Sequence, residues 1–305
     1  MPSPIPVTLI GGYLGAGKTT LVNHLLRERG ERRIAVLVND FGELPIDDAL
    51  IESRDGPLLQ LAGGCVCCSF GSDLMAALQQ MLALQPRPEH ILIETSGVAL
   101  PAAVARMLGL LPGLRLDAQL VLADAETLRR HAADRYVGEL VREQLQSADL
   151  VLLNKTDLVT EAGLAPLCEW LRAVAPRSRV LCCQQAQLPP ELLLDVGTLS
   201  AGPRRPAAVP DAGVLFDTLS LEFDHAVDMA ALAAMLAAPP LRLLRAKGLM
   251  RDRAGQPHSL HLVGARTASA PSSHAQPQRG RLVCIALRGE LQAAHLHAAL
   301  AACAV

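Results

Sequence analysis

Three thiols fall within four residues, Cys65, Cys67 and Cys68, directly behind Gly63 and Gly64. Thiolates are soft donors suited to zinc, and less commonly to cobalt(II) or copper(I). Two glycines ahead of the cluster let the backbone turn sharply, so sulfurs at i, i+2 and i+3 can converge on one ion. Three sulfurs leave a fourth position for water, a carboxylate or a partner protein. Such an incomplete set suits capture and release, whereas four thiolates would make a closed structural site. The competing readings of these residues are redox thiols and plain buried cysteines.

A second constellation is built for phosphate. Gly12-Tyr13-Leu14-Gly15-Ala16-Gly17-Lys18-Thr19 matches the spacing G-x-x-x-x-G-K-[ST]. Successive backbone N–H groups must converge on phosphate oxygens there, which needs glycine dihedrals and little side-chain bulk. Gly12, Gly15, Ala16 and Gly17 would line the loop, and Thr20 would follow in the first helical turn, whose dipole favours an anion. Lys18 is expected to reach the β- and γ-phosphates, and the Thr19 hydroxyl to ligate magnesium.

Two further segments say which nucleotide and where its metal would sit. Leu150 to Leu153 runs into Asn154-Lys155-Thr156-Asp157. The Asp157 carboxylate can accept from both N1–H and the exocyclic amine of guanine, whereas adenine would leave it unpaired at that edge. Asn154 can bridge the base and the phosphate loop, and the Lys155 stem can lie along the ring. The expectation is therefore GTP over ATP. In Ile91-Leu92-Ile93-Glu94-Thr95-Ser96-Gly97, Glu94 closes a buried strand and is placed to act on magnesium, while the Gly97 N–H can follow the γ-phosphate. Lys18, Thr19 and Glu94 are thus the candidate catalytic residues. Asn39-Asp40-Phe41-Gly42-Glu43 adds Asp40, which could reach magnesium, and Glu43, which could supply an oxygen to the thiol-bound metal.

The thiol cluster lies between the Asp40 and Glu94 segments, the parts of a phosphate-loop protein that rearrange with the γ-phosphate. Metal affinity and nucleotide state would then be coupled, and coupling of this kind is reciprocal. Weaker candidates are His258 with His261, and His295 with His297. A spacing of three in a strand puts the first pair on opposite faces, and i, i+2 on a helix does not converge, so both pairs read as surface histidines. Cys182 and Cys183 read as core packing.

The elements that must position these residues are legible as an alternation. Short apolar runs at Val7–Ile10, Ile34–Val38, Ile91–Ile93, Gln119–Ala123, Leu150–Leu153 and Arg179–Cys182 predict buried strands. Helical spacing predicts helices over Thr19–Arg29, Asp73–Leu84, Pro101–Leu108, Thr127–Gln146 and Glu161–Val174. Together they predict an α/β fold: a P-loop NTPase domain over residues 1–185, with a mostly parallel sheet flanked by helices. The proline-rich residues 186–213 read as a linker. Residues 214–305 read as a small α+β domain with strands at Val214–Phe223, Leu241–Arg245, Ser259–Val263 and Leu282–Leu287. Helices are expected there at Met229–Ala237 and Glu290–Ala302, and a low-complexity loop over 265–280.

Composition narrows the partners. The 305-residue chain carries 28 basic and 30 acidic residues, a formal net charge of −2, so there is no basic excess for nucleic-acid phosphates. Four Phe, two Tyr and one Trp provide few stacking platforms for bases. No apolar run reaches about 18 residues, so no membrane span is expected. Met1 to Pro6 lacks a leader pattern, and the five cysteines outside the cluster, scattered through apolar runs, do not resemble a secreted disulfide framework, so a reducing cytoplasm is expected.

Taken in order, Gly12–Thr20, Asn39–Glu43, Gly63–Cys68, Glu94–Gly97 and Asn154–Asp157 resemble the motifs of CobW-type metallochaperone GTPases. In this part the chain also resembles the nickel-insertion GTPases of urease and hydrogenase. The similarity extends more weakly through Arg245-Ala246-Lys247-Gly248 and His261-Leu262-Val263-Gly264 into a CobW-like C-terminal domain. The resemblance implies a cytoplasmic GTPase that binds zinc or cobalt at the three cysteines and hands it to a client metalloprotein or metal chelatase. Turnover would be slow alone and completed by a client or a homodimer partner. Asp40 stands where the family commonly carries Glu, and the histidine-rich run of some relatives is missing. Two other functions use the same residues: a P-loop small-molecule kinase indifferent to the cysteines, and a thiol redox or metal sensor with a structural nucleotide.

Overall fold

The structure, a computed structural model, describes residues 3–39, 58–61, 70–194, 216–272 and 279–305. The chain divides into two compact units, Met1–Asp195 and Val196–Val305. Among the described residues no helix is long and apolar enough to cross a membrane.

The first unit is built on seven strands in the order β3-β2-β4-β1-β5-β6-β7. They are β1 Ile5–Gly12, β2 Ile34–Asn39, β3 Leu58–Leu61, β4 His90–Glu94, β5 Leu114–Asp124, β6 Leu150–Asn154 and β7 Arg179–Cys182. Every neighbouring pair is parallel. A parallel sheet must be covered on both faces, and β4 and β6 are accordingly buried along their whole length. The helices are α1 Lys18–Arg27, α2 Phe70–Ala83, α3 Pro101–Leu108, α4 Leu128–Ala133, α5 Gly138–Ser147, α6 Glu161–Val174 and the single turn α7 Pro190–Leu193.

Alternation along the strands divides the core. Val7, Leu9, Leu37 and Ile93 point to one face, where Leu74, Leu78 and Met81 of α2 and Val104 and Leu108 of α3 meet them. Val121, Val151 and Leu153 continue that face under Val141 and Leu145 of α5 and Leu167 and Leu171 of α6. The opposite face takes α1, which packs on β1 and β4, and α7, whose Leu193 carbonyl accepts from the buried Thr8 hydroxyl at 3.3 Å. The chain leaves β1 toward β2, then crosses from β4 to β5 on the far side of β1. The carboxyl ends of β1 and β4 therefore meet at the sheet's switch point, where α/β sheets place their ligands.

Three features of this unit differ from the sequence expectation. β3 is an additional strand: Leu58-Leu59-Gln60-Leu61 pairs with β2 from Val36 to Asn39. The helix expected over Thr127–Gln146 is broken in two. The Asp134 carboxylate accepts from the N–H groups of Tyr136 and Val137 at 2.8 and 3.1 Å, a local turn that competes with helix continuation. Finally, residues 186–194, expected to begin a linker, pack into this unit through Thr8 and His24, whose Nε2 lies 2.8 Å from the Leu188 carbonyl.

The second unit is an antiparallel sheet of order β11-β10-β9-β12-β8. Its strands are β8 Phe216–Phe223, β9 Arg245–Arg251, β10 Pro257–Val263, β11 Arg266–Pro271 and β12 Gly280–Leu287. Helices α8 Met229–Ala237 and α9 Ala293–Ala302 close one face over Leu221, Leu260, Leu262, Leu282 and Cys284. Asp228 caps α8 by accepting from Ala230 N–H and Ala231 N–H, both at 3.0 Å. These bonds hold its carboxyl below the usual range, and Arg253 beside it adds to the effect. The strand expected at Leu241–Arg245 instead begins at Arg245, because Pro239 and Pro240 hold a 3-10 turn and cannot donate to a ladder. Part of the expected loop 265–280 is strand β11, joined to β10 by Gly264 and Ala265 with Gly264 at φ 59°. A glycine at the first central position is what a two-residue type II′ hairpin requires.

Candidate nucleotide site

The phosphate loop follows β1 and runs into α1, as its glycines anticipate. Gly12, Gly15 and Gly17 have φ of 130°, 74° and 102°, values that side-chain-bearing residues rarely adopt. Two of these glycines also allow close approach. A Cβ on Gly12 would stand 2.2 Å from the Leu122 carbonyl oxygen, and one on Gly17 would stand 2.6 Å from Asn154 Nδ2. The loop is thereby held between β5 and β6, with Ala16 buried beneath it. Lys18, Thr19 and Thr20 form the first turn of α1, where unsatisfied N–H groups and the helix dipole favour an anion.

Opposite the loop lies the end of β4. Glu94 aligns with Ile10 on β1 and Val38 on β2, and its side chain is 4% exposed. Thr19 Oγ1 donates to Glu94 Oε1 at 3.0 Å. A hydroxyl and a buried carboxylate at a helix N-terminus are the hard oxygen donors that magnesium takes, so the residues present fit that ion. Beyond Glu94 the chain turns through Thr95, Ser96 and Gly97. A Cβ at Gly97 would lie 2.9 Å from Leu14 N, so glycine is what lets this turn touch the phosphate loop. Gln144 on α5 fixes the turn from below, donating through Nε2 to the carbonyls of Gly97 at 3.1 Å and Ala99 at 2.7 Å. Loop, Val38, Glu94 and the Thr95–Gly97 turn enclose a cleft of about 260 Å³.

The base-side residues cluster at the ends of β5, β6 and β7. Asn154, 2% exposed, donates from Nδ2 to Ala16 O at 3.0 Å and accepts at Oδ1 from Ala186 N–H at 2.8 Å. The sequence expectation had Asn154 joining phosphate loop to base; here its second partner is the backbone of the loop after β7. That loop carries Gln185 and Ala186 at φ 50° and 54°, a left-handed pair held in place by the Asn154 bond. Lys155, at φ 60°, places Nζ 2.7 Å from Asp124 Oδ2 at the end of β5. Thr156 donates through both N and Oγ1 to the Cys183 carbonyl, at 3.3 and 3.1 Å. Asp157 follows in a 3-10 turn, exposed to solvent.

Sequence reasoning missed three supports: Asp124, Gln144 and the Cys183–Ala186 backbone. Gln144 left a trace, a polar residue inside the buried stripe Val141, Gln144, Leu145 of α5. Cys182 is exposed rather than core, whereas Cys183 is buried as expected, and burial pushes the Cys183 thiol up to about 12. The candidate metal ligands Cys65, Cys67, Cys68, Asp40 and Glu43 lie outside the described residues. Among the described residues no group of three or more His, Cys, Asp or Glu is arranged to hold a metal. His295 and His297 are exposed on α9, and His258 Nδ1 lies 3.3 Å from Asp252 Oδ2.

Residues 6–182 match the family model described as CobW/HypB/UreG, nucleotide-binding domain. The chain belongs to the CobW/HypB/UreG family. Its residues 216–304 match the model of the cobalamin synthesis protein cobW C-terminal domain, so both CobW segments occur in family order. The chain is similar to the zinc chaperone CobW of Sinorhizobium sp, 32% identical over 52% of this chain and 53% of that protein. It is similar to the zinc chaperone YjiA of Escherichia coli, 31% identical over 87% of each chain. Among solved structures it resembles Zn(II)-bound YjiA GTPase from E. coli, with a TM-score of 0.47 and 23% identity over the whole of both chains. The match thus spans about half the length of the CobW relative and most of YjiA. In this CobW-family chain, the phosphate loop and the Glu94 turn form the cleft of the nucleotide-binding domain.

Proposed function

We propose that the protein binds and hydrolyses GTP, and that its nucleotide state controls the capture of zinc, or cobalt, at Cys65, Cys67 and Cys68 and its delivery to a client metalloprotein. The observation that carries this reading is the Thr19–Glu94 bond across the cleft, which unites the phosphate loop with the strand end that follows the cysteines in sequence. The zinc-chaperone names of the relatives support the choice of metal. Delivery to a client follows the same family logic.

In the reaction, loop amides and Lys18 neutralise charge that builds on the γ-phosphate as water attacks it. Thr19 and Glu94, with Asp40 as a further oxygen donor, would hold magnesium, which when bound offsets charge on the β- and γ-phosphates. The Gly97 N–H faces the end of the phosphate chain. Asp157 accepts from the guanine edge, Lys155 covers the ring, and Asn154 keeps base loop and phosphate loop in register. Coupling to the metal rests on reach. β3 is parallel to β2, β4 and β1, so Leu61 lies at the same carboxyl end of the sheet as the phosphate loop. Cys65 follows Leu61 by four residues, no more than about 14 Å of extended chain. α2 begins at Phe70, two residues past Cys68.

The test is a competitive titration of Zn(II) and Co(II) into wild type and a Cys65→Ser, Cys67→Ser, Cys68→Ser variant, each apo, with GDP and with a non-hydrolysable GTP analogue. Affinity should differ between the nucleotide states in wild type and collapse in the variant. Equal affinity across states would remove nucleotide control, and equal affinity in the variant would remove the site. Phosphate transfer to a metabolite, unaffected by the three substitutions, would favour a kinase instead.

A further inference from the structure

Outside the nucleotide cleft, two other thiols meet. Cys168 on α6 and Cys182 on β7 bring their sulfurs to 3.8 Å, with Cys182 exposed and Cys168 half-buried. A disulfide needs about 2.05 Å, so the pair is within about 2 Å of bonding distance. The elements carrying the two residues are already packed together: α6 lies against β7. The turn between them is anchored, because Ser178 Oγ donates to the carbonyls of Leu145 and Ala148 at 3.2 and 2.7 Å. Cys183, next in sequence, points the other way along the strand and is buried with its sulfur 3.7 Å from Asn154 Oδ1. It has no access to an oxidant.

We infer that Cys168 and Cys182 form a reversible dithiol–disulfide modification site, oxidised by a small-molecule disulfide of the oxidised-glutathione class. One thiolate of the pair, its proton released to solvent, attacks one sulfur of the oxidant. This forms a mixed disulfide and expels one glutathione thiolate. The other protein thiol then loses its proton and attacks the protein sulfur of that mixed disulfide, expelling the second glutathione. Two protein thiols are oxidised and one oxidised glutathione is reduced to two thiols, so electrons and atoms balance. The second step is intramolecular, because the two sulfurs are already held 3.8 Å apart. The site lies one residue before the Cys183 carbonyl that holds Thr156, so oxidation fastens α6 to the strand that feeds the base-side loop.

The experiment uses the full chain, reduced and desalted, then exposed to graded ratios of oxidised to reduced glutathione. After alkylation of free thiols, tryptic mapping reads the links. Cleavage at basic residues puts Cys168 in the peptide 156–172 and Cys182 in 180–204. Wild type should give these two peptides joined, and dithiothreitol should separate them. Cys183→Ser should keep the link. Cys182→Ser and Cys168→Ser should each lose it, with the remaining thiol of the pair carrying a single glutathione. Cys168 and Cys182 alkylated separately at every ratio would overturn the site. So would links running instead to Cys183 or to Cys65, Cys67 and Cys68.

Discussion

The two halves of the nucleotide cleft are made in different ways. The phosphate half is backbone: three glycines at positive φ, one strand-to-helix turn and, among the described residues, the Glu94 carboxylate facing it. The half proposed to take the base is made of side chains borrowed from three strands, with Asp124, Asn154 and the Cys183–Ala186 segment tied to one another. Glycine sets the first half locally, whereas the second exists only once β5, β6 and β7 are side by side. Substitutions should therefore act locally and severely in the first half and through folding stability in the second.

The largest effect is expected at Gly17. Alanine there costs about 1–2 kcal/mol for a left-handed L-residue, and its Cβ also lands 2.6 Å from Asn154 Nδ2. Nucleotide affinity, read by calorimetry, should fall by about 100-fold or more, each 1.4 kcal/mol being tenfold. Gly15→Ala is the control. Its φ is also positive, at 74°, but nothing lies within 4 Å of its Cβ, so it should lose about tenfold at most. If the two variants behaved alike, close approach would not be part of the phosphate half.

Asn154→Ala addresses the other half. It strands the Ala16 carbonyl and the Ala186 N–H, at about 1–3 kcal/mol for each buried group left unmade. A loss of about 2–6 kcal/mol in urea unfolding is expected, together with weaker nucleotide binding. Binding lost at unchanged stability would mean that Asn154 acts on the ligand and not as a tie between loops.

A smaller effect depends on pH. The Cys183 thiol, pushed up to about 12 by burial, stays protonated in the folded state while the unfolded thiol ionises near 9. Its contribution is complete below about 9 and is lost as pH rises toward 12, at up to about 1.4 kcal/mol per pH unit. The urea midpoint of reduced protein should thus decline above pH 9, and Cys183→Ala should decline less steeply. Identical slopes would show that Cys183 is not shielded.

The same contrast explains what could be read from the residues alone. Gly12 to Thr19 declares its conformation, since glycine, lysine and threonine at fixed spacing have few other uses. Glu94 was legible because an acid ends an apolar strand. The ties Asp124–Lys155 and Gln144–Gly97 were not, because each joins residues that sequence separates and the sheet brings together. In the fold, short apolar runs gave the five interior strands and the edge strand β7. The four-residue β3 takes its strand character from pairing with β2, and Asp134 broke a helix through a side-chain bond that helical spacing does not report. The β10–β11 hairpin had a signal, Gly264-Ala265, hidden by the low-complexity stretch around it.

In the proposed function the guanine base is chosen by one carboxylate, that of Asp157. Asp157→Asn tests it most directly, with guanosine and xanthosine diphosphates titrated into both forms. Xanthine carries a carbonyl where guanine carries the exocyclic amine, so a carboxamide can donate where the carboxylate could only accept. Wild type should prefer the guanosine nucleotide, and the variant should reverse that preference while keeping the same fold stability. A variant that binds both nucleotides as wild type does would contradict the account.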